Sequence, residues 1–310
     1  MRSDVLAYIQ NLSLRDGKSI SQKGLKLMEE VGELAKAVLP FENAQATTHR
    51  FVTPEKVLEE VADSILVALS IAYTLGYSDE DITQEMIRKS DYWAELLARE
   101  SRMTDETPYE IHVTVAEAPC LETFVSTCRG LGVKPIVLDL QRKSGGAIKD
   151  VMTSSVCFGK NSDAYQELNR IAEGLSSAGF NVVRRKIETV PWHPAAPSSA
   201  HKNPVMPESC YFESHLAVRL ADDNQRLLLE TLAREHNCHL SRNVFKRHED
   251  GSATVMLTYR DYHQVYEVVK AKVDEVLAAL AGAGLSVDKH LIEFSLYDSK
   301  ASHDGAWLKG

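Results

Sequence analysis

The sequence predicts a multidomain protein of mixed α and α+β class, with four helices in its first part and a repeated β-α-β-β-α-β unit after them. Three observations support this prediction. Apolar residues follow helical spacing as far as about residue 100, strand-like alternation begins after Thr104, and short motifs then recur at a nearly constant offset. With 310 residues, the chain is also too long for one compact core, so two or three domains are expected.

The first two helices are predicted from their ends. One covers Asp4 to Leu12, and the next starts near Ser19, whose spacing to Gln22 fits a capping box. The second helix is expected to stop near Leu39, because Pro40 lacks the N–H that would continue it.

The third and fourth helices have clear start signals. Thr53 is a typical N-cap before a proline, and its helix should end near Gly76. The fourth helix starts at Ser78, and its acidic first turn suits the positive end of the helix dipole. The apolar run from Ile65 to Leu75 has 11 residues, about half of the roughly 20 that span a bilayer. This apolar run instead predicts a helix that is buried inside a four-helix bundle and also between copies of the chain. A homo-oligomer is therefore expected.

The second part of the chain alternates between strands and helices. The predicted elements are Tyr109–Val115, Leu121–Leu131, Lys134–Leu140, Val151–Cys157, Ala164–Ala178 and Asn181–Glu188. This is the order of a ferredoxin-like fold. A second copy follows, because Glu110 matches Glu213 at an offset of 103 residues and Leu175 matches Leu280 at an offset of 105.

The same sequence patterns predict the domain boundaries, the linker and one hairpin turn. The predicted domains are residues 1–105, 106–190 and 209–310, with a proline-rich linker at 191–208. The segment Lys143 to Gly146 is predicted to form the hairpin turn between the second and third strands.

Composition narrows the class of protein. Lys and Arg total 35 against 44 Asp and Glu, which gives a formal charge of -9. This balance argues against broad binding to nucleic acid or anionic membranes and favours a cation as partner. The five cysteines are odd in number and lack metal-binding spacing, as is typical of reduced cytoplasmic thiols, and the N-terminus lacks the apolar core of a signal peptide. A cytoplasmic protein is therefore expected.

Four carboxylates stand out in the helical part. Glu30 and Glu33 are three residues apart on the second helix, and Glu60 and Asp63 are three apart on the third. Each pair shares a helical face, so two antiparallel helices would bring all four acids to one site. Oxygen ligands of this kind suit Mg²⁺, with Mn²⁺ as a substitute. The alternative is a pair of solvated helix faces, which the apolar context of both helices disfavours.

The motif Leu27-Met-Glu-Glu-Val-Gly-Glu-Leu-Ala-Lys-Ala37, with Glu60-Val-Ala-Asp63 downstream, resembles the MazG-like, all-alpha nucleoside triphosphate pyrophosphohydrolase superfamily. The resemblance covers roughly residues 1 to 100. It implies a Mg²⁺-dependent enzyme that cleaves a nucleoside triphosphate between its α and β phosphorus atoms, giving a monophosphate and pyrophosphate, and that assembles as a dimer or tetramer.

Carried over to this sequence, the resemblance implies roles for single residues. Glu30, Glu33, Glu60 and Asp63 would be the metal ligands, and Glu29 would orient or deprotonate the attacking water.

Two lysines are candidate phosphate contacts under the same resemblance. Lys89 lies on the fourth helix and Lys26 lies one turn before the first acidic pair, although a solvated face or an i,i+4 salt bridge would explain them equally well. An alternative function is a nucleotide-binding sensor with little turnover.

The duplicated unit carries one histidine in the first strand of each copy. His112-Val-Thr114 fits the His-x-Thr/Ser pattern of two-histidine phosphodiesterases, which makes His112 and His215 candidates for a second active site. In the second copy, however, Ala217 stands where the hydroxyl residue is needed. Structural histidines and no phosphodiesterase activity are therefore expected.

Overall fold

The structure, a computed structural model, describes residues 3–116, 120–141, 147–199, 210–243 and 252–301. It divides into two compact units, Met1–Asp91 and Tyr92–Gly310. The predicted turn at 143–146 and the part of the predicted linker from 200 to 208 lie outside the described residues. Within them, every helix is too short or too polar to cross a bilayer, and all five cysteines are free thiols.

The four predicted helices are present. They are α1 (Ser3–Arg15), α2 (Ile20–Phe41), α3 (Pro54–Thr74) and α4 (Asp79–Glu100). The capping box of α2 is formed: the Gln22 N–H donates to Ser19 Oγ over 3.2 Å, and the Ser19 N–H donates to Gln22 Oε1 over 2.9 Å. Thr53 caps α3, which starts with a proline as predicted. The assignment of these helices to a pyrophosphohydrolase bundle stays a prediction.

The predicted C-terminal end of α2, near Leu39, is wrong. The helix α2 continues through Pro40 to Phe41 instead of ending near Leu39. Because only one helical residue follows the proline, its missing N–H and its ring affect no more than the final turn. The Glu42 N–H then bonds to the Val38 carbonyl over 3.0 Å and ends the helix.

The first unit has a small apolar core. In this unit α3 packs against both α1 and α2. Its buried centre is formed by Ile9, Leu69 and Tyr73, with Leu6 and Ile82 packed around them. Much apolar surface stays outside this core: Met28 on α2 is 73% exposed and Leu58 on α3 is 67% exposed.

A buried lysine links three helices of this unit. Lys23 Nζ donates hydrogen bonds to the Ser13 carbonyl at the end of α1 and to Ser70 Oγ and Thr74 Oγ1 on α3, at 2.8 to 3.1 Å. Only 2% of Lys23 is exposed. A buried ammonium group needs such partners because its desolvation is costly. Sequence patterns gave no sign of this contact.

The second unit contains the predicted order β-α-β-β-α-β twice. The first copy consists of β1 (Pro108–Val115), α5 (Leu121–Leu131), β2 (Lys134–Gln141), β3 (Ala147–Phe158), α6 (Asn161–Ser177) and β4 (Val182–Thr189). The second consists of β5 (Tyr211–Leu220), α7 (Asp223–Glu235), β6 (His239–Asn243), β7 (Ala253–Asp261), α8 (Tyr266–Gly282) and β8 (Ser286–Asp298). The prediction of a duplicated unit is confirmed at the level of element order, although β3 and α6 each begin a few residues earlier than expected.

The two copies form one closed antiparallel barrel. Its strand order is β1-β3-β2-β6-β7-β5-β8-β4, and β4 pairs with β1 to close it. The copies meet at two seams, where Leu138 on β2 is paired with Asn243 on β6 and Glu188 on β4 is paired with Ser295 on β8. Closure of the barrel therefore requires pairing between the copies as well as within them.

Strand alternation separates an outer face from an interior. Ile111 and Val113 of β1 pack against Phe124 of α5 and Leu168 of α6, in the core between sheet and helices. Neighbouring strand residues point to opposite faces. The side chain of His112 therefore points into the barrel, as do the residues two positions away from it.

The segment after β4, at the start of the predicted linker, packs within the second unit. His193, Ala196 and Ser198 are buried, and Arg99 Nη1 donates to the Ala196 carbonyl over 2.8 Å. Asn161 Oδ1 lies 3.0 Å from His193 Nε2.

Candidate functional site

The first candidate site lies between α2 and α3. Glu30, Glu60 and Asp63 each place one carboxylate oxygen within 4.8 Å of the other two. Glu30 is 6% exposed and Glu60 is 5% exposed, while Asp63 is half-buried. Three of the four acids that the sequence proposed as metal ligands thus converge. Such a group of oxygen donors can hold a hard divalent cation.

A repeated motif explains the symmetry of this site. The segment Lys26-Leu-Met-Glu-Glu-Val31 on α2 corresponds to Lys56-Val-Leu-Glu-Glu-Val61 on α3. Packing two copies of one motif on adjacent helices brings the second glutamate of each to the same place.

Two lysines form ion pairs with the buried glutamates. Lys26 Nζ lies 2.8 Å from Glu30 Oε1, and Lys56 Nζ lies 2.6 Å from Glu60 Oε1. Hydrogen bonds to these glutamates raise the pKa of both lysines. Lys26 therefore forms an i,i+4 ion pair with Glu30, which is one of the two roles that the sequence allowed for it. Lys56 was missed, although its motif is the same as that of Lys26.

Three other predicted residues lie apart from the convergent group. Within the described residues, Glu33 is not part of the convergent group. The side chain of Glu29 is 57% exposed and forms an ion pair with Lys26 over 3.1 Å. Lys89 is exposed on α4, and within the described part of the chain no hydrogen bond or ion pair joins it to the group. The roles assigned to these three residues stay predictions.

The second candidate site lies inside the barrel and contains His112. His112 Nδ1 lies 3.1 Å from the Thr153 carbonyl on β3, and its Nε2 lies 3.2 Å from Glu188 Oε2 and 3.5 Å from Glu110 Oε1. Although burial opposes the charged ring, the hydrogen bond to Glu188 raises the pKa of His112.

The second copy repeats this arrangement more loosely. His215 Nδ1 lies 3.2 Å from Thr258 Oγ1 on β7, the partner strand of β5. Its Nε2 lies 3.9 Å from Glu213 and 4.0 Å from Glu293. Each copy therefore supplies one Glu-x-His pair from its first strand and one glutamate from its last.

Two cations lie among these acids. Lys186 Nζ contacts Glu213 and lies 2.6 Å from Glu188, while Arg260 lies 2.6 Å from Glu213. Burial by itself would raise the pKa of Glu188, but the charge of Lys186 and the hydrogen bond with His112 lower this pKa to about 2. Burial, together with the charges of Glu188 and Glu110, raises the pKa of Glu293 to about 8. We call these eight residues the interior cluster: Glu110, His112, Lys186, Glu188, Glu213, His215, Arg260 and Glu293.

Sequence reasoning found only part of the interior cluster. It singled out His112 and His215 because they recur in the duplication. It missed the glutamates, although Glu188 and Glu293 recur in the same way. It also missed Lys186 as a partner of two of these acids, because that contact crosses from one copy to the other.

Comparisons with known proteins identify no family. No protein-family description matches the chain, and no curated protein is found to be similar to it. Among solved structures, the acetolactate synthase small subunit from Thermotoga maritima is similar at 10% identity and a TM-score of 0.24, over 61% of this chain and 98% of that one. A single-residue variant of DypB from Rhodococcus jostii RHA1, in complex with heme, is similar at 8% identity and a TM-score of 0.21, over 62% and 94%. Similarity at this level carries no argument about function.

Proposed function

We propose that the first unit is a Mg²⁺-dependent nucleotide pyrophosphohydrolase, which cleaves a nucleoside or deoxynucleoside triphosphate between its α and β phosphates to a monophosphate and pyrophosphate. The observation that carries the proposal is the convergence of Glu30, Glu60 and Asp63 from two adjacent helices. These are acids of the motif that resembles the MazG-like superfamily.

The donor set fits Mg²⁺. All three groups are carboxylates, and Mg²⁺ is held in proteins by a few carboxylates together with phosphate oxygens of the substrate. Mn²⁺ accepts the same donors. When bound, the cation would offset negative charge on the phosphates and make a bound water more acidic.

The residues of this chain then have separate tasks. The packing of α2 on α3 buries Glu30 and Glu60, and a buried carboxylate needs a cationic partner because its desolvation is costly. In the metal-free protein that partner is a lysine one turn earlier on each helix. A bound cation would compete with both lysines for Glu30 and Glu60, and each ammonium group would then keep only its exposed partner, Glu29 or Glu59. Phosphate oxygens are natural new partners for the two ammonium groups.

We assign a different task to Glu29. It neighbours the buried Glu30 along α2, yet its carboxylate faces solvent. An exposed carboxylate at the edge of the site can exchange protons with water, as a residue that accepts the proton of an attacking water must do.

The exposed apolar surface supports self-association of this unit. Met28 and Leu58 occupy equivalent positions in the repeated motif, and both are largely exposed. Surface of this kind is typical of a protein interface. We therefore include a homo-oligomer, a dimer or tetramer, in the proposal.

A nucleotide-binding sensor with little turnover is the second candidate. One observation favours it: within the described residues, Glu29 and Glu33 lie outside the convergent group, so metal binding could occur without activation of water. A sensor of this kind would bind a nucleotide with Mg²⁺ but release no pyrophosphate.

The test is pyrophosphate release by the full-length protein across a panel of ribo- and deoxynucleoside triphosphates, with Mg²⁺ or with a chelator. Release that requires Mg²⁺ and is lost in Asp63→Asn is expected, while Asp91→Asn, an exposed acid on α4, serves as the control. Nucleotide binding without release would favour the sensor. Release that persists in Asp63→Asn would contradict the assigned site.

A further inference from the structure

We propose that Ser64 is a positioning residue of the cation site between α2 and α3, and that its hydroxyl accepts a hydrogen bond from a water molecule that the cation retains. The inference rests on the cation site of the proposed function, but it does not require that the protein cleaves a nucleotide. It adds a neutral oxygen to the three convergent carboxylates.

The first argument is that the hydroxyl of Ser64 is buried without a partner. Within the described residues, its Oγ is shielded from solvent and forms no hydrogen bond. A hydroxyl group can donate one hydrogen bond and accept two, and a buried polar group that stays unsatisfied is costly. The oxygen therefore points to a partner that the described chain does not supply.

The second argument is that Ser64 does not use the partner nearest to it. A hydroxyl inside a helix can donate to the carbonyl four residues earlier. Elsewhere in the helices, four hydroxyl side chains donate to this carbonyl over 2.7 to 3.0 Å: Ser13, Thr74, Thr127 and Thr231. Ser64 forms no such bond to the Glu60 carbonyl. Its hydroxyl is therefore available for a different partner.

The third argument is the place of Ser64 on α3. It follows Asp63 directly and lies four residues after Glu60, and residues four apart share a helical face. Glu60 and Asp63 converge with Glu30 of α2, so their side of α3 is the one that meets α2. Ser64 is thus about one turn, or about 6 Å along the axis, from Glu60 on the same face.

The chemistry of the cation gives a neutral oxygen a task at this place. Mg²⁺ requires octahedral geometry and keeps several waters when a few carboxylates bind it. A water whose oxygen is on the cation has both hydrogens left to donate, so it needs acceptors nearby. Lys26 and Lys56, which contact the buried glutamates, can only donate. The Ser64 hydroxyl can accept, and because it is uncharged it adds nothing to the repulsion among the carboxylates.

The test measures binding of Mn²⁺ to the full-length protein by electron paramagnetic resonance, after treatment with a chelator and without nucleotide. Ser64→Ala should weaken binding at least about tenfold, which is the usual cost of losing a group that orients metal ligands. Ser64→Thr keeps the hydroxyl and should bind within about threefold of the wild type. Ser90→Ala, at an exposed serine on α4, is the matched control and should bind as the wild type does.

The stability of the metal-free protein separates this role from a structural one. Ser64→Ala removes an unsatisfied buried oxygen, so its melting temperature without metal should equal or exceed that of the wild type. A side chain that only supports the packing of α3 would lower stability and affinity together. Ser64→Cys resembles serine in shape, but its thiol is a weak acceptor, so it should weaken Mn²⁺ binding as alanine does.

Three results would overturn the inference. If the wild type binds no Mn²⁺, the cation site falls and the role of Ser64 falls with it. If the wild type binds Mn²⁺ but Ser64→Ala and Ser90→Ala have equal affinity, the inference alone is wrong and the proposed reaction is untouched. Affinity that is retained in Ser64→Cys, or lost in Ser64→Thr as much as in Ser64→Ala, would show that shape and not hydrogen bonding matters at this position.

Discussion

Acidification should weaken the second unit through one buried histidine. His193 is 3% exposed, its Nε2–H donates to Asn161 Oδ1 over 3.0 Å, and its Nδ1 accepts from the Ala195 N–H over 3.1 Å. The ring is therefore held neutral, because a second proton would break the bond from Ala195. Burial lowers the pKa of His193 to about 4.

The size of the effect follows from that shift. Unfolded histidine has a pKa of about 6.5, so between pH 6.5 and 4 the unfolded chain binds a proton that the folded chain does not. The free energy of unfolding is unaffected above this range and falls as the pH drops through it. The loss should be about 2 kcal/mol at pH 5 relative to pH 7.5, and about 3 kcal/mol once the pH is below 4.

Urea unfolding of the full-length protein, followed by circular dichroism at pH 7.5 and pH 5, measures this loss. Because other groups titrate as well, the wild type is compared with His193→Gln, which should lose about 2 kcal/mol less over this interval. His263→Gln, at an exposed position, should behave as the wild type does. If His193→Gln and the wild type lose equal stability, the reasoning is refuted.

Three further predictions concern the first unit. Replacing Lys56 by Gln removes the ammonium group that would compete with a metal for Glu60, so calorimetry should show that Mg²⁺ binds several-fold more tightly. Weaker binding in this variant would mean that the lysine supports the metal site. Lys23→Met breaks three hydrogen bonds between helices and should lower the free energy of unfolding by about 2 kcal/mol in urea titrations, while Lys18→Met on the surface should have little effect. Light scattering should find an oligomer that Met28→Glu with Leu58→Glu dissociates, and a wild-type monomer would rule this interface out.

The order of elements could be predicted because its signals are local. The helix α5 was predicted with its observed ends, and the caps at Ser19 and Thr53 form as expected. Local signals also explain the error at Pro40, because a proline is costly inside a helix but tolerated in its last turn.

Closure of the barrel could not be predicted in this way. The seams β2–β6 and β4–β8 join strands that are far apart in sequence, and periodicity within a strand does not specify its partner. Lys186 shows the consequence. It lies on β4 of the first copy, whereas its partner Glu213 lies on β5 of the second copy.

The acids between α2 and α3 were easier to find because they repeat within a short distance. Glu30, Glu60 and Asp63 converge, whereas Glu33, which the same spacing placed with them, is not part of this group among the described residues. Spacing alone did not show which glutamate of each adjacent pair is buried. That is determined by how α2 packs against α3.

The most direct test of the proposed function uses this difference between adjacent glutamates. The side chain of Glu60 is 7% exposed and converges with Glu30, whereas that of Glu59 is 61% exposed on the same helix. Mg²⁺-dependent pyrophosphate release by full-length protein should fall at least about 100-fold in Glu60→Gln, since a metal ion contributes several kcal/mol to the transition state, and should stay within about twofold in Glu59→Gln. Equal rates in the two variants, or release that needs no divalent cation, would contradict the account.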